Sequence, residues 1–404
     1  MSKVLVINFP AEGHINPTIG LVKELVNRGE EVIYYCEEEY RSRLQNTGVA
    51  FRNFKDHLKE IRLNDRMKDM FNPVQMIYRF LNATENALPF LLKEINCEKF
   101  DYIIYDQHFL LGRFLAEILQ LPSIASCTTF AMNKEVFEKL SVQKSKVDTN
   151  SPLYKECQEI LDRISNRYEL QIGSLEQLFY YESDMTLVFT SEYFQPQAEQ
   201  FQSNVKFVGP SINAREERID FPFDKLVGKE VIYLSMGTEL NQQLELYNTC
   251  FHALEEFDGV VVMSVGKETD VTKLTNIPSN FIVRPYVPQL EVLKYTNVFI
   301  THGGMNSVSE GLYYDTPLIV LPITNDQPFV ARRVEELNAG IVLDYKNVTS
   351  DALRETVNHL LNNQVYKEGS RTVGLSLRKA GGYKKAVDEI FKLKKETISS
   401  SLQK

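Results

Sequence analysis

The sequence predicts an α/β protein of two doubly wound, largely parallel domains, and three observations carry that expectation. Short apolar runs alternate with amphipathic stretches from end to end, the pattern of βαβ construction. The 404 residues exceed what one core organises at a soft prior of about 100–200 residues per domain. A polar, unpatterned segment, Ser211 to Asp220, lies between Gly209-Pro210 and Phe221-Pro222 and reads as a linker. The domains are therefore expected at 1–210 and 229–380, with 211–228 between them and 381–404 forming a last helix and tail.

Taken in order, Val4 to Asn8 is a buried strand. Asn16 is expected to cap a helix with Pro17 at its first position, Leu21, Val22, Leu25 and Val26 on one face, and Gly29 as its stop. Strands follow at Glu31 to Tyr35 and Tyr102 to Tyr105, then a helix at Leu110 to Leu119 and a strand at Leu121 to Ala125. Residues 55–95 and 130–185 read as helical and rich in Met and aromatics, among them Met67, Met70, Phe71, Met76, Phe80, Phe130, Met132 and Phe137. Strands resume at Met185 to Phe189 and Val205 to Val208. In the second half, strands at Val231 to Leu234, Val260 to Ser264, Phe281 to Arg284, Val298 to Thr301, Leu318 to Leu321 and Ile341 to Leu343 alternate with helices near 240–256, 305–314, 328–338 and 350–362. Gly381-Gly382 precedes a last amphipathic helix carrying Ala386, Val387, Ile390 and Phe391.

Composition narrows the partners. A net charge of -9, with no Lys/Arg run longer than a pair such as Lys394-Lys395, argues against nucleic acid. Five cysteines at wide spacings fit a reduced, cytoplasmic chain and not a zinc or redox motif. The N-terminal apolar run stops at Pro10 and reads as a strand instead of a signal peptide, and no stretch approaches the roughly 18 apolar residues that span a bilayer. No stable membrane association is expected.

Ligands of open α/β sheets collect at the carboxyl ends of strands, so the polar groups there are the candidates. His14, in Gly13-His14-Ile15-Asn16-Pro17 after the first strand, is expected just outside a helix N-terminus, where the dipole favours a neutral ring suited to general base work. Asp106 ends its own strand; it either caps the next helix or, on a shared rim, holds the imidazole's second nitrogen. Ser235-Met236-Gly237-Thr238 is a turn whose hydroxyls and backbone suit phosphate, though many βα turns look alike. Neither GxGxxG nor GxxxxGK[ST] occurs, against dinucleotide and Walker-type binding. The strongest signal is an ordered series: Tyr286-Val287-Pro288-Gln289, Thr301-His302-Gly303-Gly304-Met305-Asn306-Ser307, Glu310-Gly311, and Pro322 to Gln327. His302, the glycines, Asn306 and Ser307 open a helix as an anion cradle with a cation-capable imidazole, Glu310 lies a turn further on, and Asp326-Gln327 offers an acceptor and an amide for hydroxyls.

This succession resembles the nucleotide-sugar signature of the family-1 UDP-dependent glycosyltransferases, the bacterial macrolide and flavonoid enzymes above all. The resemblance covers essentially the whole chain: residues 13–17, Asp106 and residues 286–327 all match. It implies the GT-B architecture, two facing Rossmann-like domains with the active site in the cleft between them and the last helix returning to the N-terminal domain. It further implies that Tyr286 stacks on uracil, with Val287 beside it in the same donor loop, and that Gln289 and Glu310 hold the ribose. His302, Asn306, Ser307, Thr238 and the Gly303 and Gly304 backbone would take the diphosphate, and Asp326 and Gln327 the sugar. His14 would accept the acceptor's proton, with Asp106 behind it. Ile15, Met67, Met76, Phe109, Phe130 and Met132 are the expected acceptor contacts, for a largely apolar flavonoid, phenol or macrolide. The stacking position, Trp in the family, is Tyr286 here, which implies looser selection of uridine and room for a thymidine-linked donor. Met305 stands where plant members often have Trp, with little effect expected because the backbone faces the phosphate.

The reaction this implies is an inverting transfer of a hexose, glucose in the first instance, from a UDP-sugar to a hydroxyl, by a monomer without cofactor or metal. There is no Asp-x-Asp, and no His, Cys and carboxylate cluster stands out in the sequence. A nucleotide-sugar 2-epimerase or lipid-intermediate transferase fits less well, the first having no use for residues 13–17 and the second needing a membrane face. A nucleotide-sugar sensor is disfavoured by the intact His14 and Asp106.

Overall fold

A computed structural model describes residues 1–61, 72–136, 148–172, 174–178, 180, 183–212, 220–238, 243–324 and 326–401. Met67, Met70, Phe71, Phe137, Asn325 and residues 213–219 of the expected linker fall outside these. The chain packs as two compact units, Met1–Ile212 with Ala380–Lys404, and Asn213–Lys379.

The first unit is built on a seven-stranded sheet in the order β3-β2-β1-β4-β5-β6-β7. Its strands are β1 Lys3–Ile7, β2 Glu31–Cys36, β3 Ala50–Asn53, β4 Tyr102–Asp106, β5 Ser123–Cys127, β6 Met185–Val188 and β7 Val205–Phe207. All pair in parallel. Their nearly unbroken apolar runs suit a sheet covered on both faces, and the period of two splits them between two cores. Leu5, Ile7, Ile33, Tyr35, Ile103 and Tyr105 pack against the helices Pro73–Glu94, Leu110–Leu119 and Pro152–Tyr168. Val4, Val6, Val32, Tyr34, Tyr102 and Ile104 face the helices Glu12–Asn27 and Gly382–Ser401 instead. The last helix is pinned there by Ala386, Val387 and Ile390, all fully buried, and by ion pairs from Arg28 to Asp388 (2.5 Å) and from Lys394 to the buried Glu30 (2.7 Å).

The second unit carries a six-stranded parallel sheet, β10-β9-β8-β11-β12-β13. These are β8 Val231–Ser235, β9 Val260–Ser264, β10 Phe281–Arg284, β11 Val298–Thr301, β12 Leu318–Val320 and β13 Gly340–Val342. The helices Leu244–Leu254, Met305–Tyr313, Gln327–Glu336 and Ser350–Asn362 alternate with them as the periodicity predicts.

Three elements differ from expectation. The first helix starts at Glu12, capped by Ala11 in an extended conformation, so Asn16 is not its cap and Pro17 lies inside it. Pro17 has no N–H to offer the Gly13 carbonyl, but side chains brace this turn: Asn8 donates to the His14 carbonyl (3.3 Å) and Thr18 to that of Ile15 (2.8 Å). β3 escapes notice because it is a four-residue edge strand with an exposed first residue and no fully buried one. The helix Gln364–Ala380 is hidden by two glycines that look like breakers. They are there for close packing, since a Cβ at Gly369 or Gly374 would lie 2.1 Å from the Asn338 carbonyl oxygen or 2.3 Å from that of Leu312.

Because Ile390 is fully buried against β1, β2 and β4, Ile390→Ala is expected to destabilise the first unit by about 2–5 kcal/mol, read from denaturant unfolding at pH 7.

Candidate active site

Both sheets reverse their winding at one place, and a crevice opens there at the strands' carboxyl ends. In the first unit that place is the β1–β4 boundary, where Ile7 pairs with Tyr105. The residues just beyond, Asn8 and Asp106, are therefore neighbours, and the first turn of the Glu12–Asn27 helix rises over them. His14 is its third residue, and its Nδ1 lies 2.7 Å from Asp106 Oδ2. The shared rim anticipated from sequence exists, although His14 sits within the helix and not ahead of it.

Asp106 is 1% exposed and does not cap the next helix, whose N-cap is Phe109. Its Oδ1 accepts instead from the His108 backbone N–H at 2.9 Å. Burial pushes its carboxyl upward, yet the charge of His14 and its hydrogen bond, helped by His108, outweigh that and hold the group below the usual carboxylate range. Thr128, just past β5, brings Oγ1 to 3.2 Å from His14 Nδ1. The His14 ring meets Phe9 edge-on at 4.9 Å and His108 at 5.6 Å. Sequence reasoning missed His108 and Thr128. Their spacing was the available signal, because two residues past Asp106 and one past the adjacent strand end fall on the same rim.

In the second unit the switch is the β8–β11 boundary, where Thr301 pairs with Ser235. Gly237 has φ +80, and a Cβ there would stand 2.7 Å from the His302 ring, so only glycine lets the Thr238 turn and His302 approach so closely. Gly303, at φ +89, and Gly304, the N-cap, lead into Met305–Tyr313 with Asn306 and Ser307 in its first turn. Burial pushes His302 down to about 4, a hydrogen bond to the Ser235 backbone opposing only in part. With no anion beside it, this shift favours the neutral ring at pH 7. Behind this cradle, Gln289 donates Nε2–H to the buried Glu310 (2.7 Å) and accepts at Oε1 from Tyr233 (3.1 Å). Tyr286 is half-buried on the loop after β10, with Val287 buried beside it. The Gln327 side-chain carbonyl ties down its own loop, accepting from the N–H groups of Ile323 (2.8 Å) and Thr324 (3.1 Å), so its amide nitrogen is the part suited to a ligand. Asp326 precedes this helix without capping it by its side chain.

Comparison with known proteins decides what these two rims belong to. Residues 189–376 match the family described as UDP-glucoronosyl and UDP-glucosyl transferase. The chain is 41% identical to the uncharacterized UDP-glucosyltransferase YojK of Bacillus subtilis, over 99% of this chain and 100% of that one. The chain belongs to the UDP-dependent glycosyltransferases. It is also 34% identical to the NDP-glycosyltransferase YjiC of Bacillus subtilis, with 96% of each chain covered. Among solved structures it is similar to the glycotransferase of kitacinnamycin, at 27% identity and a TM-score of 0.86 over 97% of this chain and 98% of that one. The two Rossmann-like units are those of a GT-B glycosyltransferase.

The expected acceptor contacts of this glycosyltransferase divide. Ile15 and Phe109 are fully buried members of the two cores and support the rim from beneath. Phe130 is 6% exposed and packs on Phe194. Met76 and Met132 keep partial exposure, and Met67 lies outside the described residues. Phe80, not among the six, is partly exposed and packs edge-on against Phe9, the ring that abuts His14. Among the described residues no helix is long and apolar enough to cross a membrane.

His302 makes the free protein acid-sensitive. Its folded value, about 4, lies below the ordinary 6.5, so between the two the unfolded chain binds more protons and stability falls as pH falls. Lowering the pH from 7.5 to 5 is expected to destabilise the wild type by about 2 kcal/mol more than His302→Gln, compared by denaturant unfolding.

Proposed function

We propose that this glycosyltransferase moves a hexose, most simply glucose, from a UDP-sugar to a hydroxyl of an apolar small molecule such as a flavonoid, another phenol or a macrolide, with inversion and without a metal. The observation that carries the reading is the 2.7 Å contact between His14 Nδ1 and the buried Asp106 carboxylate. With Nδ1–H directed at Asp106, Nε2 is the atom that takes the acceptor's proton, and the ionised carboxylate stabilises the imidazolium that results. The acceptor oxygen then bonds to the anomeric carbon from the face opposite the diphosphate, the bond from that carbon to the phosphate oxygen breaks, and UDP leaves. The leaving charge falls to the Met305–Tyr313 helix N-terminus, the Gly303 and Gly304 N–H groups, Thr238, Asn306 and Ser307. Gln289 and Glu310, already hydrogen-bonded to each other, suit the ribose hydroxyls, Tyr286 with Val287 the base, and Asp326 with the Gln327 amide the sugar.

Two features support an apolar acceptor and a tolerant donor site. Phe80, Met76 and Met132, all partly exposed, provide aromatic and thioether surface that adapts to several shapes. Tyr286 offers a smaller platform than Trp, and the relative YjiC carries the broader description NDP-glycosyltransferase. A cytoplasmic monomer is consistent with free cysteines at positions 36, 97, 127, 157 and 250, four of them buried.

Purified protein incubated with UDP-glucose and a panel of phenols should release UDP only when an acceptor is present. Release without acceptor, or tight binding with no release at all, would overturn the transfer reading. His14→Ala should lower turnover about 10²- to 10⁴-fold while UDP affinity stays within about twofold. Unchanged turnover removes His14 from the mechanism.

A further inference from the structure

The rim of the first sheet carries one imidazole, that of His108, which the transfer reaction does not use. Among the described residues, His14, Asp106 and His108 each bring one ligand-capable atom within 4.8 Å of the other two. Both imidazoles approach the carboxylate through Nδ1, His14 at 2.7 Å from Oδ2 and His108 at 3.8 Å from Oδ1. The carboxylate side chain is 0% exposed while the rings are 21% and 43% exposed, so an ion arriving from solvent meets the imidazoles first and the anion behind them.

We propose that His14, Asp106 and His108 form an inhibitory site for a borderline divalent cation of the zinc or copper class, and that the ion acts by switching the tautomer of His14; this rests on the base role given to His14 above. Two imidazoles and one carboxylate are a donor set that suits these ions and not magnesium or calcium, which prefer oxygen. Ligand atoms about 2.0–2.2 Å from a tetrahedral zinc stand roughly 3.4 Å apart, so the His14–Asp106 contact of 2.7 Å opens, and the half-exposed His108 ring, which meets the other carboxylate oxygen at 3.8 Å, turns inward to close spacings of up to 4.8 Å within the set. Thr128 Oγ1, 3.2 Å from His14 Nδ1, lies beside the same position. The double positive charge also meets a carboxylate that burial leaves poorly solvated, so the pair gains where either alone is costly.

The inhibitory effect follows from proton bookkeeping. In the metal-free enzyme the neutral ring carries its proton on Nδ1, facing Asp106, and presents a lone pair at Nε2. An ion on Nδ1 takes that nitrogen's lone pair, and the ring's one proton moves to Nε2. No proton is gained or lost overall, but the atom that should accept one from the acceptor hydroxyl already holds one. Asp106, now a ligand, no longer faces an N–H. Transfer stops while the donor cradle, carried by the other sheet, is untouched.

The test uses the metal-free full chain with no donor or acceptor present. Cobalt(II) is titrated first, its visible absorption reporting nitrogen and oxygen ligation, and zinc is then used to displace it. One ion per chain is expected, with His14→Ala and His108→Ala each weakening binding at least about tenfold and Cys97→Ser, which replaces the exposed thiol, leaving it unchanged. Zinc sensitivity of transfer, taken within each protein as the ratio of rates with and without the ion, should fall by the same factor in His108→Ala and be reversed by a chelator. Binding that survives both histidine substitutions overturns the site. Binding that leaves wild-type transfer unaffected overturns the tautomer switch. Failure of the base role itself shows separately, as wild-type turnover in metal-free His14→Ala.

Discussion

Parallel pairing at the point where a doubly wound sheet reverses direction is the constraint on which the molecule depends. The helices on either side of such a point leave in opposite directions, and the carboxyl ends of two adjacent strands stay uncovered. In the first unit β1 and β4 meet there, 92 residues separating His14 from Asp106 along the chain and 2.7 Å in space. In the second β8 and β11 meet in the same way and set Gly237 against the ring of His302. Neither grouping has any local cause, since each exists because two strands far apart in sequence are neighbours in register.

Burial of Asp106 then dictates the chemistry of the first rim. A carboxylate this enclosed is unstable as an anion unless its oxygens are satisfied. One oxygen meets the His108 backbone N–H and the other the His14 ring. The contacts that satisfy the anion also orient the imidazole, and Phe9 packs on that ring from the side. Beneath it, Asn8, Thr18 and Tyr34 form a buried chain of hydrogen bonds, Asn8 Nδ2 lying 2.6 Å from the Tyr34 hydroxyl and that hydroxyl 2.8 Å from Thr18 Oγ1. These bonds hold the first turn where Pro17 weakens the helix. The geometry is thus set before any substrate arrives, as the base role proposed for His14 requires.

Most strands, and the order of the sites along the chain, were legible from sequence because buried parallel strands announce themselves as apolar runs. Val260–Ser264, Phe281–Arg284 and Val298–Thr301 match to the residue. What resisted reading has physical reasons. Pro17 looks like a first-turn proline, while the Asn8 and Thr18 side chains that brace the turn around it are held in place by Tyr34 on the next strand, which the local pattern does not show. Ile15 and Phe109, expected as acceptor contacts, lie one residue past His14 and three past Asp106. One turn of helix or one step past a strand is enough to send a neighbour's side chain into the core. Tyr233 escapes for the converse reason: nothing local marks a residue whose significance is the partner, Gln289, that it meets from a segment 56 residues away.

On the donor role proposed for it, the second rim has to hold a dianion in an acidic protein. The net charge of -9 repels a diphosphate at long range, and the segments 235–238, 302–307 and 322–327 contain no Lys or Arg. His302, the one residue there able to become a cation, is held neutral by its burial. What remains are dipoles: backbone N–H groups at a helix start, hydroxyls and amides. Their pull decays faster with distance than that of a full charge, and salt screens a buried dipole little. They therefore reward a phosphate only when it sits in register. A lysine would attract any anion from afar, whereas the glycines at 237, 303 and 304 bring backbone and ring so close that shape and charge are tested together. On the donor role proposed for this rim, selectivity for a nucleoside diphosphate is a matter of fit, and its dependence on glycine follows from the close approach of Gly237 and Gly304 to the His302 ring.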